Sequence, residues 1–251
     1  LETYARCPFQ YFLGTVLRLR PLEEPEDLLR ISPLEKGSLV HEVLRRFVGT
    51  LPSGTLSPAA AADHRRALEE IANQELDAAE ARGIAGAPRL WRADRTEILE
   101  DLARWLNREL AEAGAYERHA VEVAFGGRWS GTQASDLDTD LALEIPAGSR
   151  VLRFRGRVDR IDYTPGSGFR VIDYKTGKGS MLPRDGQLRG GQALQLPIYL
   201  RAGELILGIP AESGEAAYHV VSRAGRFKRV SFTGAALESA GDVLSRPEAS
   251  R

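Results

Sequence analysis

Cysteine is almost missing from this 251-residue chain: Cys7 stands alone. One thiol excludes an internal disulfide and fits a reducing compartment. It also excludes a metal or iron–sulfur site built only from this chain's cysteines. No apolar run approaches the roughly 18 residues that span a bilayer, so no transmembrane helix is expected. The opening LETYARCPFQYFL lacks the basic start and small-residue cleavage site of a signal peptide. A cytoplasmic location is the resulting expectation. No initiator methionine opens the chain, which suits a piece of a longer protein. Lysine is scarce (Lys36, Lys175, Lys178, Lys228) while arginine, alanine and glycine are abundant, a pattern that reads as genomic base composition. A net charge of −1 argues against a general polyanion binder.

The charges that are present are unevenly spread. Residues 51–120 carry 9 basic and 13 acidic side chains, whereas residues 121–251 carry 18 and 15. The period of the apolar residues changes at the same place. Helices are expected over 1–20 (bent or ended near Pro8), 33–49, 61–82 and 93–114, with an acidic loop at 21–33 and a turn-rich linker at 50–60. From about residue 120 the pattern becomes strand-like, with strands expected at 119–127 (HAVEVAFGG), 139–145, 150–163 and 168–175. A helix follows at 187–208 with Gln192, Gln195 and Tyr199 on one stripe. Strands at 215–222 and 227–232 and a last helix from 234 complete the chain, and the tail is expected to fray. The fold class is therefore α/β: a mixed central sheet flanked by helices, with a helical N-terminal and inserted part. Residues 1–251 read as one domain, with 51–120 a helical insertion and 121–251 the catalytic core.

The chemistry concentrates in Arg153–Lys178, RFRGRVDRIDYTPGSGFRVIDYKTGK. It reads as two strands joined by hairpin residues, TPGSG. Alternation along a strand puts Asp173 and Lys175 on one face and Ile172 and Tyr174 on the other. Asp159 lies on the partner strand. Two carboxylates and an amine on one sheet face suit a divalent cation and an activated water. Asp159, Asp173 and the Tyr174 carbonyl would supply three oxygen ligands, and Lys175 would orient the water. A strand end with an ordinary salt bridge is the competing reading of the same residues. Arg153, Arg155 and Arg157 share one parity and would track a phosphate backbone, against a solvated strand face. A lone helical histidine is usually structural, but His41 follows Gly37 by one turn, and a glycine inside a helix suggests a close approach there.

Five stretches, in order, resemble the RecB/AddB-type exonuclease branch of the PD-(D/E)XK nuclease superfamily. They are Leu1-Glu2-x-Tyr4-x-x-Cys7-Pro8-Phe9-x-Tyr11-Phe12, Gly37-Ser38-Leu39-Val40-His41, Gly156-Arg157-Val158-Asp159-Arg160-Ile161-Asp162, Val171-Ile172-Asp173-Tyr174-Lys175-Thr176-Gly177 and Gln195-Leu196-Pro197-Ile198-Tyr199. The resemblance covers nearly all of the chain outside 51–120. It implies a restriction-endonuclease-like fold and metal-dependent hydrolysis of DNA phosphodiester bonds with Mg²⁺ or Mn²⁺, favouring single strands or DNA ends, in recombination and repair.

Carried over by position, the resemblance makes Asp159, Asp173 and Lys175 catalytic. His41, Asp159, Asp173 and the Tyr174 carbonyl would bind metal, and Gln195 and Tyr199 would contact DNA or buttress the lysine. Glu122 resembles an acidic residue near the first core strand. Many members of this branch bind an iron–sulfur cluster through one cysteine of the Cys-Pro-Phe helix and three near the C-terminus. Here Cys7 has no such companions, so no cluster is expected within this chain unless the sequence stops short of them, and Cys7 reads as a core thiol. The chain also lacks G-x-x-x-x-G-K-[ST], so a helicase motor belongs to another segment or a partner. A non-catalytic module that binds DNA ends or scaffolds a helicase is the rival reading, with a restriction-type endonuclease behind it. The intact acidic pair, lysine and histidine count against the rival, because binding does not require them.

Overall fold

A computed structural model describes residues 2–19, 29–51, 56–127, 134–147, 149–180 and 182–239. Most of the expected loop at 21–33, part of the linker at 50–60 and the tail lie outside these residues. The N-terminal segment breaks at Cys7 into α1 (Glu2–Arg6) and α2 (Pro8–Tyr11), with Pro8 opening the second piece and a π-turn, Phe12–Val16, closing it. Then come α3 (Pro33–Thr50), α4 (Ala61–Ala81) and α5 (Pro88–Ala111). Helix α3 starts on a Ser32 N-cap: Ser32 Oγ accepts from the Glu35 N–H at 3.2 Å and donates to the Glu35 carboxylate at 3.1 Å.

Among the described residues seven strands follow: β1 (Arg118–Phe125), β2 (Leu143–Ala147), β3 (Arg150–Phe154), β4 (Gly156–Thr164), β5 (Gly168–Lys175), β6 (Gly214–Val220) and β7 (Arg229–Thr233). Helix α6 (Gln195–Leu207) joins β5 to β6, and α7 (Gly234–Ser239) ends the described chain. The main sheet has the order β1-β4-β5-β6-β7 and is mixed. Only β5 and β6 run parallel among these neighbours, so their connection must cross the sheet, and α6 makes that crossing. One face of the sheet is covered by α3, α4 and α5, where Ile172 and Tyr174 join a core with Leu44, Phe47 and Trp105. The other face is covered by α6, where Val171 and Phe169 pack with Leu196 and Leu200. Helices α4 and α5, from the stretch expected to be an insertion, thus share a core with α3 and β5.

Three expectations are corrected. The strand expected at 150–163 is two strands in two sheets, because β3 pairs with β2 in a separate hairpin and β4 joins the main sheet. The crossing falls at Arg155–Gly156, where a side chain on residue 156 would meet the Phe125 ring at 2.9 Å. The helix expected from 187 begins only at Gln195. Arg189, Gly190 and Gly191 have φ of +49°, +61° and +83°, a left-handed run that a helix does not accommodate. Gln192 therefore lies outside the stripe. Finally, no described protein segment crowds Gly37: a Cβ there would meet Thr176 Oγ1 at an ordinary 3.5 Å.

Candidate active site

The site forms where β4 and β5 part. Their ladder runs up to the pair Arg160–Ile172, and one more step would set Asp159 against Asp173. Instead the Asp159 side chain enters the gap, and its Oδ2 accepts from the Tyr174 N–H at 2.8 Å. The Tyr174 carbonyl, freed on the same side, faces His41 Nε2 at 2.9 Å. The other ring nitrogen, Nδ1, lies 3.4 Å from Asp159 Oδ2. Helix α3 thereby delivers its histidine to the edge of β5, while Val40, Val43, Leu44 and Phe47 bury its opposite face. With acceptors beside both ring nitrogens, burial, which alone would lower the pKa, is outweighed by Asp159, and His41 takes its proton above the usual range.

Asp173 and Lys175 point to the α6 face, as their alternation predicts. Lys175 Nζ lies 2.5 Å from Asp173 Oδ2 and donates to Gln195 Oε1 at 3.3 Å. Gln195 Nε2 donates to Asp173 Oδ1 at 2.6 Å and to the Tyr199 hydroxyl at 3.1 Å. That hydroxyl donates to the Arg157 carbonyl at 3.1 Å. Gln195 and Tyr199 thus tie α6 to both parting strands.

Among the described residues no group of three His, Cys, Asp or Glu stands ready around a cation. Each candidate ligand is already engaged by a protein partner. The donor set itself, two carboxylates, a main-chain carbonyl and an imidazole, suits a hard or borderline divalent ion. Asp173 gives the physical test of that fit. Its Oδ2 is fully buried and faces the Lys175 ammonium at 2.5 Å. Burial first, and then the nearby Asp159 charge, push its carboxyl up to about 6, more than Lys175 offsets. A cation bound beside these two carboxylates would add positive charge and hold Asp173 ionised at neutral pH.

Glu122 lies on β1 at the position across from Asp159, where the β1–β4 ladder skips a pair. Its φ of +54° turns it out of the strand path, a strained conformation for a residue with a side chain. Its carboxylate pairs with Arg157 at 2.7 Å. A cleft of about 1560 Å³ opens beside His41, Glu122, Arg157 and Asp159, between α3, α4 and β1. Of the three arginines expected on one strand face, Arg157 is in the main sheet, Arg153 is in the outer hairpin paired with Glu144 at 2.8 Å, and Arg155 is exposed between the two. The structure does not bring them onto one face.

Two contacts on the site carried no reading of their own in the sequence. Glu2 Oε1 accepts from the backbone N–H groups of Leu194 and Gln195 at 2.6 and 3.0 Å. The Tyr218 hydroxyl donates to Gln195 Oε1 at 3.0 Å, and its ring lies 5.0 Å from Lys175 Nζ. Glu2 falls inside the first resembling stretch; Tyr218 sits in a plain strand, GEAAYHV, with nothing to mark it.

Below the site, Tyr174 reaches the opposite sheet face. There its hydroxyl accepts from Arg160 at 3.3 Å, and Arg160 pairs with Glu109 of α5 at 2.8 Å and with Asp162 at 2.5 Å. Arg160, Asp162 and Glu109 are all buried. Burial alone would raise the Glu109 pKa, but Arg160 and then His219 hold it well below the usual carboxylate range.

A family model described as the PD-(D/E)XK nuclease superfamily matches residues 1–246. Curated relatives include an ATP-dependent helicase/deoxyribonuclease subunit of Moorella thermoacetica, 33% identical over 224 residues, covering 86% of this chain and 18% of the relative. The corresponding helicase/deoxyribonuclease subunit of Lacticaseibacillus casei is 28% identical over 221 residues, covering 84% and 17%. That of Clostridium acetobutylicum is 26% identical over 215 residues, covering 80% and 17%. The chain spans less than a fifth of the length of these relatives.

Proposed function

Since the chain belongs to the PD-(D/E)XK nuclease superfamily, we propose that it is a divalent-metal-dependent deoxyribonuclease unit that hydrolyses phosphodiester bonds. The observation that carries this reading is the convergence of His41, Asp159, Asp173, the Tyr174 carbonyl and Lys175 at the parting of β4 and β5. His41, Asp159, Asp173 and the Tyr174 carbonyl would hold Mg²⁺ or Mn²⁺. A bound cation supplies Lewis acidity, easing ionisation of a water and countering phosphate charge. Lys175, held by Asp173 and Gln195, orients the attacking water and offsets the charge that grows on the phosphoryl oxygens. Gln195 and Tyr199, half-buried and hydrogen-bonded inward, buttress this lysine rather than track DNA. Arg157 and the cleft beside Asp159 offer the strand a path to the centre.

In this proposal residues 1–251 act as one nuclease unit, with 121–251 supplying the catalytic strands and 51–120 the cover that carries Glu109. The substrate is DNA, as single strands or ends, and the setting is recombination and repair in the cytoplasm. The relatives' description as helicase/deoxyribonuclease subunits supports a helicase as the neighbouring segment or partner. The test is an end-labelled single- or double-stranded oligonucleotide incubated with Mg²⁺, Mn²⁺ or EDTA. Cleavage that needs the metal and disappears in Lys175→Ala is the expected result. Full activity of a clean Lys175→Ala preparation would overturn the mechanism. Binding without metal-dependent cutting would make the chain a DNA-end-binding or helicase-scaffolding module instead.

A further inference from the structure

We propose that Glu2, from the N-terminal helix, and Tyr218, from β6, are positioning residues that hold Gln195 and through it set the Asp173–Lys175 pair. The inference rests on the nuclease reading for its catalytic consequence, but not for its geometry.

Gln195 is held first by its backbone. It is the first residue of α6, and the opening N–H groups of a helix have no partner within it. Leu194, at the N-cap, offers no side-chain acceptor. Glu2 fills the role from 192 and 193 positions away, one carboxylate oxygen taking both the Leu194 and the Gln195 N–H. A carboxylate also suits the positive end of the helix dipole. The start of α6 is therefore fixed to α1 rather than to its own loop, whose residues 189–191 lie in left-handed conformations.

The side chain is held as tightly. A primary amide has two donors and two acceptor lone pairs, and Gln195 uses all four. Nε2 donates to Asp173 Oδ1 and the Tyr199 hydroxyl, while Oε1 accepts from Lys175 Nζ and the Tyr218 hydroxyl. Flipping the amide would set its N–H groups against the Lys175 ammonium and its oxygen against the Asp173 carboxylate. The Tyr218 hydroxyl reinforces the productive orientation, and the ring below the ammonium adds a cation–π contact. Two of the four bonds end on the groups assigned to the chemistry, so an error in Gln195 becomes an error in Asp173 and Lys175.

Two measurements on the 251-residue chain test this. The first is exchange of the Gln195 side-chain amide with water by NMR, the resonance being assigned by its loss in Gln195→Glu. Glu2→Ala and Tyr218→Phe should each speed that exchange by about tenfold or more, whereas Glu2→Gln, whose amide oxygen accepts the same two bonds, should not. The second is Mn²⁺-dependent cleavage of a single-stranded oligonucleotide. Glu2→Ala should lower kcat by about tenfold while KM changes less than about twofold, with Glu2→Gln restoring most of the rate. Wild-type exchange in both Glu2→Ala and Tyr218→Phe overturns the proposal, as does faster exchange with an unchanged kcat. If the parent chain cuts no DNA with any divalent ion, the nuclease reading fails, and the exchange measurement still decides whether Glu2 and Tyr218 hold Gln195.

Discussion

His41 Nε2 lies 2.9 Å from the carbonyl oxygen of Tyr174, although 133 positions separate the two residues. The contact joins the helical layer to β5 at the atom where the backbone ladder has opened. It also sets the imidazole where, in the proposed function, a cation would sit. The protonated ring satisfies Tyr174 and Asp159 together, and the same ring must give up a proton to become a ligand.

Cation binding should therefore strengthen as pH rises. The His41 pKa lies above its ordinary 6.5, with burial opposing and Asp159 prevailing. Below that raised pKa, binding must displace a proton, a penalty of up to about tenfold per pH unit. The rise in Tm on adding a fixed Mn²⁺ concentration should be larger at pH 8 than at pH 6, and His41→Ala should flatten the difference. Equal shifts at both pH values would remove His41 from the ligand set.

Asp173 costs the metal-free protein stability at neutral pH. Its folded pKa of about 6 exceeds the ordinary 3.8, so stability falls as pH rises from about 4 through 6 and stays lowered above it. Asp173→Asn removes that charge. Without metal it should leave the protein as stable at pH 7.5, or more stable by about 1–3 kcal/mol, the lost Lys175 partner setting the lower end. Cleavage should fall by about a thousandfold or more. Denaturant titration and the cleavage assay read the two halves separately, and marked destabilisation at pH 7.5 would refute the first.

The buried cluster under Tyr174 should be the most sensitive point for stability. Arg160→Ala leaves Asp162 and Glu109 buried without their main partner and should cost about 3–5 kcal/mol in urea unfolding at pH 7. Glu109, whose pKa is depressed, contributes stability that is present above its ordinary 4.5 and is lost as pH falls below that value toward its folded pKa. Glu109→Gln should accordingly weaken the acid sensitivity of the parent chain, and an unchanged acid limb would count against this assignment.

Gly203 sets how closely α6 lies on β5. A Cβ at this position would collide with the Phe169 ring and meet Val171 Cγ2 at 2.9 Å. Gly203→Ala should destabilise by about 1–3 kcal/mol. Because α6 carries Gln195 two turns earlier, the same change should also lower kcat, by about tenfold or more. Loss of stability with an unchanged kcat would show that the helix shifts without moving Gln195.

Much of the site was legible because its residues obey local rules. Asp173 and Lys175 share a face by strand alternation, and Gln195 and Tyr199 share one by helical spacing. The arginines show where local rules stop. Arg153, Arg155 and Arg157 share parity only if one strand carries them, and the chain changes sheets at Arg155–Gly156 because Gly156 leaves room for the Phe125 ring. Gln192 was misplaced for a related reason, since nothing local in GQLRGGQ states that three successive residues turn left-handed.

By itself, then, the sequence determined the element types, the two faces of β5, the α6 pair and a set of stretches that resemble one nuclease branch. Each follows from neighbours along the chain. The tertiary structure alone decided that β4 and β5 part after Arg160–Ile172, which frees the Tyr174 carbonyl for His41 and its N–H for Asp159. It alone brought Glu2 to the start of α6, Tyr218 beneath Lys175 and Glu109 under Tyr174. These contacts join residues up to 193 positions apart, and only packing two helical layers against one sheet brings such residues together.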